Sequence, residues 1–320
     1  MSISLEVPDI RQLAEEEGIK EEELKSVLEA SLLQAYCKFP NALPIARAEV
    51  DSKQGTLTIW GKQEEDGQET DCTPKDFSRQ STKIVRSALR QLVRHTEDEK
   101  LFGSFLNRKG KLVTGTVQQD ERDKDNIHVA VGETEALLPK REQTPGELYT
   151  HGERIRVYVV AVSRGLKGPE IIVSRCHPNL VLKLFEKEVP EMSTGAVSII
   201  KVAREAGSRT KIAIKSNVEG LNEKGTFIGP DGSRVRSVVS ELGGEKIDIV
   251  DYSEDPASYI ASALSPAKVD SVRILSQEER KAIAFVPESQ IRLAIGKEGQ
   301  NARLAARLTG WKIAIQPSSE

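Results

Sequence analysis

The chain has 320 residues, 38% of them apolar and 30% charged, enough for a packed core and a solvated surface in two or more domains. No run approaches the ~18 apolar residues of a membrane span, and the acidic Met1–Glu16 start is unlike a signal peptide, so a cytoplasmic protein is expected. The net charge of −3 argues against bulk polyanion binding but hides a split: residues 1–107 hold 14 Lys and Arg against 20 Asp and Glu, and residues 108–320 hold 32 against 29.

In chain order, residues 8–39 read as helical, with Ile10, Leu13, Leu24, Val27, Leu28, Leu32 and Tyr36 at three- and four-residue steps and Gly18 as a break. Ala46–Val50 and Thr56–Trp60 alternate around Lys53-Gln54-Gly55, a hairpin signal. Gln63–Asp76 is polar and loop-like. Asp76–Phe105 returns to a helical period, with Lys83, Arg86, Arg90 and Arg94 forming a basic ridge. From Gly110 to Arg175 the pattern predicts five short strands, Lys111–Gln118, Ile127–Val131, Glu135–Pro139, Arg154–Ser163 and Glu170–Ser174. That number fits a small barrel of the OB type. The bases such a barrel stacks would need aromatics, and here only Tyr149, Tyr158 and His128 are on offer. Pro178–Val189 then reads as a helix with Leu180, Val181, Leu184 and Phe185 on one face.

Residues 190–320 contain an internal repeat. The first copy has strands Val197–Ala203 and Lys211–Ser216, a helix ending in Gly229-Pro230-Asp231-Gly232, a second helix, and strand Lys246–Val250. The second has strands Val269–Leu275 and Lys281–Val286, helix Ser289–Ile295 ending in Gly296-Lys297-Glu298-Gly299, a further helix, and strand Trp311–Ile315. One G-x-x-G is weak; two in matched helix–loop–helix contexts are a signature. A helix N-terminus offers unpaired N–H donors and positive potential, and glycine lets a phosphate backbone come close. With Ile228 and Ile295 beside a sheet edge, this is how a KH domain grips about four single-stranded nucleotides. The expected RNA contacts are Gly229, Pro230, Asp231, Gly232, Ser233, Arg234 and Arg236 in the first copy. In the second they are Ile295, Gly296, Lys297, Glu298, Gly299, Gln300, Asn301 and Arg303. Pro230 lacks a donor and Asp231 adds negative charge, so the second loop should be the stronger contact. Two basic windows fall on the same elements: Lys201, Arg204, Arg209, Lys211 and Lys215 against Glu205, and Arg292, Lys297, Arg303, Arg307 and Lys312 against Glu298. The plainer reading of such windows is a solvated helix face.

Cys37, Cys72 and Cys176 lie far apart and are expected as reduced thiols. No phosphate-binding Walker loop, dinucleotide fingerprint or nucleophile elbow occurs. No catalytic residue, metal site or cofactor is assigned.

The order of helical module, barrel and paired KH repeats resembles the NusA family of bacterial transcription termination/antitermination factors. The resemblance is carried by His177-Pro178-Asn179-Leu180, Glu188-Val189-Pro190-Glu191, Ala203-Arg204-Glu205-Ala206-Gly207-Ser208, Lys211-Ile212-Ala213, Glu241–Val250, and the run from Ala294-Ile295-Gly296 through Gly299-Gln300-Asn301 to Thr309-Gly310-Trp311. It implies a multidomain α+β chain: a polymerase-binding module at 1–107, an S-one-type OB barrel at 108–176, and type II KH domains at 177–260 and 261–320. It further implies a monomer that binds core RNA polymerase, nascent single-stranded RNA including ribosomal RNA leaders, and other Nus factors. Lys83, Arg86, Arg90 and Arg94 are the candidate polymerase contacts. The alternative class is an RNA-processing or ribosome-assembly protein.

Overall fold

The computed structural model describes residues 3–4, 19–51, 56–65, 67–74, 77–119, 123, 125–132, 134–165 and 168–318. The helical reading of residues 8–18, with its Gly18 break, and the Lys53-Gln54-Gly55 turn lie outside them. The chain divides into two compact units, Met1–Ser104 with Arg164–Pro169, and Phe105–Ser163 with Glu170–Glu320. No described helix is long and apolar enough to cross a membrane.

In the first unit, α1 (Glu21–Tyr36) buries Leu24, Leu28, Leu32 and Tyr36, a stripe at four-residue steps. The stripe packs with Val50 of β2 (Ile45–Asp51), and with Leu57 and Ile59 of β3 (Thr56–Lys62). The short β1 (Ile3–Ser4) and β4 (Thr70–Asp71) both pair with β3. Thus β4 lies inside the stretch expected to be loop; two residues are too few for alternation to register. The long α2 (Phe77–Leu106) places Val85, Ala88 and Leu92 in the same core. Lys83, Arg86, Arg90 and Arg94 are all exposed on it.

In the second unit, β5 (Leu112–Gln118), β6 (Ile127–Val131), β7 (Thr134–Leu138), β8 (Arg154–Gly165) and β9 (Gly168–Ser174) close into a barrel in the order β5-β6-β7-β9-β8. This is the five-stranded architecture that the turn spacing predicts. Its aromatics correct the stacking expectation. Tyr149 and Tyr158 are buried; the Tyr149 hydroxyl donates to Glu147 and accepts from the Thr144 amide, and Tyr158 stacks on His177. His128 pairs with Glu135. None of the three is a free platform for a base.

Helix α3 (Pro178–Glu188) starts where Pro178 fixes the first turn and the His177 ring accepts the Asn179 amide. It leads the first repeat: β10 (Val197–Glu205), β11 (Arg209–Ser216), α4 (Glu223–Ile228), α5 (Ser233–Glu241) and β12 (Lys246–Asp251). The second repeat begins with α6 (Pro256–Ala263), a helix the sequence reading did not resolve and one that runs through the expected boundary at residue 260. Then come β13 (Ser271–Ser276), β14 (Lys281–Val286), α7 (Ile291–Ile295), α8 (Gln300–Thr309) and β15 (Lys312–Pro317). In each repeat the first two strands are antiparallel and the third runs parallel to the second.

The two repeats are stacked in layers. One face of the β10–β12 sheet packs on α3 and α5 through Ile212, Ile214, Leu184 and Val238. Its other face packs on α6 and α8 through Ala203, Ala213, Val250, Ile260 and Leu304, and those helices also cover Ala282 and Ala284 of β14. Strand β11 is consequently buried on both sides from Thr210 to Ile214.

That position includes Lys211, which has no exposed surface. Its Nζ lies 2.9 Å from Asp248 and donates to the Ser265 carbonyl at 2.6 Å, while Arg209 donates to Asp248 at 2.7 Å. Burial pushes the Asp248 carboxyl up, but Arg209 and Lys211 outweigh it and hold the group below its ordinary value. A depressed carboxyl stabilises the fold above its unfolded pKa of about 3.9 and loses that contribution as the pH falls through the folded value. Urea midpoints are therefore expected to fall as the pH drops below about 5. Asp248→Asn, already weaker at neutral pH, should lose less over the same window. Parallel acid dependence in both proteins would refute this role.

Candidate nucleic-acid interface

The two G-x-x-G segments have nearly the same backbone. Gly229, Asp231 and Gly232 have φ/ψ of 75/172, 49/24 and 73/18°; Gly296, Glu298 and Gly299 have 77/173, 53/27 and 75/11°. Asp231 and Glu298 are left-handed without being glycine, a conformation that sequence patterns did not reveal. Several amides are spent inside each turn. Gly229 N–H donates to Gly225, Gly232 to Gly229, Gly296 to Arg292 and Gly299 to Gly296. Ser233 and Gln300 close their turns on the carbonyls of Pro230 and Lys297.

Asp231 in the first loop, and Lys297 and Glu298 in the second, stand between these closing bonds at the apex of each turn. Ile228 and Ile295 are each 39% exposed just before the loops. Beside them α4 packs against β12 and α7 against β15, each the last strand of its sheet. Each loop thus sets a glycine-lined turn next to an apolar floor and a sheet edge.

The flanking polar residues divide differently from the sequence expectation. Lys297 and Arg236 are exposed and, among the described residues, make no ion pair. Arg234 does not reach out: its guanidinium donates to the Thr226 carbonyl at 2.7 Å and to Glu191 at 3.1 Å. Asn301, five residues after Gly296 as Arg234 is after Gly229, is buried. Its amide donates to the carbonyls of Leu264 and Ala294, so it holds the loop and presents no group to a ligand. Gln300 donates to Glu205 and Ser208, and Arg303 grips both Glu205 oxygens at 2.6 and 3.1 Å while also donating to the Glu298 carbonyl. The Arg303 bond is the main cause that holds the Glu205 carboxyl below its usual range. These residues fasten the second loop to the first repeat.

The first basic window is corrected on the same grounds. It lies on β10 and β11, not on a helix face. Arg204 pairs with Glu245, Arg209 and Lys211 with Asp248, and Lys215 with Glu254, which leaves Lys201 as its one cation without a pair among the described residues. Glu205, Glu245 and Asp248 were missed as site-shaping groups; the isolated Glu205 within a basic run was the available signal.

Residues 175–252 match the family model described as the NusA-like first KH domain, and residues 256–320 match the NusA-like second KH domain. Over 324 residues the chain is 46% identical to the transcription termination/antitermination protein NusA of Mycobacterium tuberculosis, covering 98% of this chain and 93% of that one. The NusA of Bacillus subtilis is 40% identical over 334 residues, covering 96% and 89%. The chain belongs to the NusA family. That of Thermus thermophilus is 40% identical over 251 residues, 78% of this chain and 64% of the relative. The two NusA-like KH matches enclose both G-x-x-G loops and the Glu205–Arg303 contact that joins the repeats.

Proposed function

We propose that this chain is a transcription elongation factor that binds RNA polymerase and nascent single-stranded RNA, and so modulates pausing, termination and antitermination. The observation that carries the RNA half is the pair of glycine loops with matching dihedral angles, each set beside an exposed isoleucine and a sheet edge. Phosphates would bind at those loops together with Lys297 and Arg236, giving salt-dependent affinity, while bases lie against the isoleucines and the sheet edge. The polymerase half is supported by relatives named transcription termination/antitermination proteins and by the exposed Lys83, Arg86, Arg90 and Arg94 ridge within 1–107. Holding RNA and polymerase together raises effective concentration, so modest affinity at each site suffices.

Purified core RNA polymerase immobilised on beads should retain the full chain, and replacing the four ridge cations by alanine should abolish retention. RNA binding without any retention would leave an RNA-binding module and remove the transcription reading. In single-stranded RNA titrations, Lys297→Ala is expected to weaken binding several-fold and to flatten the plot of log K against log salt by about 0.7, the loss of one phosphate contact. Asp231→Ala should not weaken binding. A larger loss from Asp231→Ala would reverse the ranking of the loops.

A further inference from the structure

At the far end of α8 from its loop, two cations from different repeats converge on Gly310, and a third, Lys312, follows two residues along the chain. A methyl group placed on Gly310 would lie 3.3 Å from the Arg280 guanidinium and 3.6 Å from the Lys201 ammonium, so both crowd the same bare Cα. Lys312 begins β15 next to them, its amide donating to the Arg280 carbonyl at 2.7 Å. All three side chains are exposed, and among the described residues none makes an ion pair. Of the nearby carboxylates, Glu205 pairs with Arg303 and Arg307, and Glu279 with Lys281.

The backbone is shaped to assemble this cluster. Lys201 comes from the first repeat, directly after a bulge at Ile200 in the β10 ladder; a bulge re-aims the side chains that follow it. Arg280 sits in a left-handed conformation, with φ of 49°, that a non-glycine residue rarely adopts. Gly310 ends α8 with φ of 80°, and its missing side chain keeps the space between the cations open. Like charges gathered without a counter-ion repel one another, and an anion seated among them relieves that repulsion.

We propose that Lys201, Arg280 and Lys312 form a second phosphate site, at the seam between the two KH repeats and separate from both G-x-x-G loops. Its ligand is the phosphodiester backbone of a strand that continues beyond the second loop. The ten residues of α8 put it about 15 Å from that loop. It therefore serves strands longer than the four nucleotides one loop clamps. The proposal rests on the RNA-binding reading above and adds a length requirement to it.

The test uses the full chain and the triple variant Lys201→Gln, Arg280→Asn, Lys312→Gln, with asparagine chosen because it tolerates the left-handed backbone. Unchanged thermal unfolding checks its fold. Fluorescence anisotropy with a twelve-nucleotide unstructured RNA should show a salt slope lower by about 2, the loss of three single-strand phosphate contacts. With a four-nucleotide RNA, wild type and variant should bind alike. Inorganic tripolyphosphate is the free-anion probe. Competition with the long RNA in wild type, lost in the variant, supports a phosphate site on the RNA track. Tripolyphosphate bound by wild type alone, with long-RNA slopes equal in both proteins, would assign the cluster to a free anion and overturn the proposal. If Lys297→Ala weakens RNA binding while the triple variant leaves both probes unchanged, the seam site fails and the loop reading stands. If wild type binds neither RNA, the underlying function fails.

Discussion

Glu245→Ala is expected to lower the unfolding free energy by about 3–5 kcal/mol, the range for breaking one side of a buried ion pair. Glu245 is 1% exposed and takes five bonds from four donors: Arg204 Nε to each of its oxygens at 2.9 and 3.2 Å, Arg204 Nη2 at 2.8 Å, the Gly207 amide at 2.9 Å and the Thr210 hydroxyl at 2.5 Å. Its removal strands a buried guanidinium whose other contact is the His177 carbonyl at 3.0 Å. The cost should thus exceed anything hydrogen bonding alone would give, typically about 1 kcal/mol per neutral bond. The double variant Arg204→Met, Glu245→Leu separates the two origins, because it takes away the stranded charge as well as the pair. Urea denaturation should place the double variant well above Glu245→Ala. Equal stability in the two variants, or a loss below about 1 kcal/mol in the single one, would show that the pair is not what holds this corner.

Gly296→Ala should be the most damaging single methyl in either loop. A φ/ψ of 77/173° belongs to the region that is essentially glycine-only and costs about 1–3 kcal/mol for other residues. The added carbon would also sit 2.8 Å from the Asn301 amide nitrogen and 2.8 Å from its Cβ, atoms fixed by a buried side chain. Gly229 has the same dihedrals, and its methyl would lie 2.6 Å from Arg234 Cγ; relief there needs a side-chain rotation that loses the bonds to Thr226 and Glu191, whereas relief at Gly296 needs the backbone of α8 to move. Gly299, with φ/ψ of 75/11° and open space around it, needs only the left-handed conformation, about 1–2 kcal/mol. The expected order of stability loss is Gly296→Ala, then Gly229→Ala, then Gly299→Ala, and RNA affinity should follow it. A Gly299→Ala variant as unstable as Gly296→Ala would mean that handedness and not crowding governs the turn.

The elements that local pattern predicts are those whose cause is local. α3 begins at a proline with a capping histidine and keeps its apolar residues at helical steps; the five barrel strands alternate between turn glycines and prolines. Both loops are visible as a motif because the chemistry needs glycine at fixed spacing. α6 escaped although its start is written in Asp255-Pro256, a capping carboxylate that accepts the Ser258 amide, followed by proline in the first turn. Its short apolar run carries no strong period. What sequence cannot show is which charges are already spent. Arg303 meets a carboxylate 98 positions away and Arg204 one 41 positions away. A basic window therefore counted as ligand-binding charge what folding uses internally. Asn301 and Arg234 failed as ligand contacts for the same reason: each follows the loop closely enough to bond the helix before it.

The layering of the repeats also sets an order of events on the ribosome. The back of the β10–β12 sheet, with Ala203, Ala213, Val250 and the Lys211 ammonium, is complete once residue 251 has emerged, but its cover is α6 and α8, and α8 ends at Thr309. At about 5–20 residues per second, synthesis of that last stretch takes roughly 3–12 s. For that interval a finished first repeat waits with one apolar face and a lysine that has yet to gain the Ser265 carbonyl. The second repeat is thereby the lid on the first, and a chain halted between them would be a substrate for chaperones or proteases and not a smaller working protein.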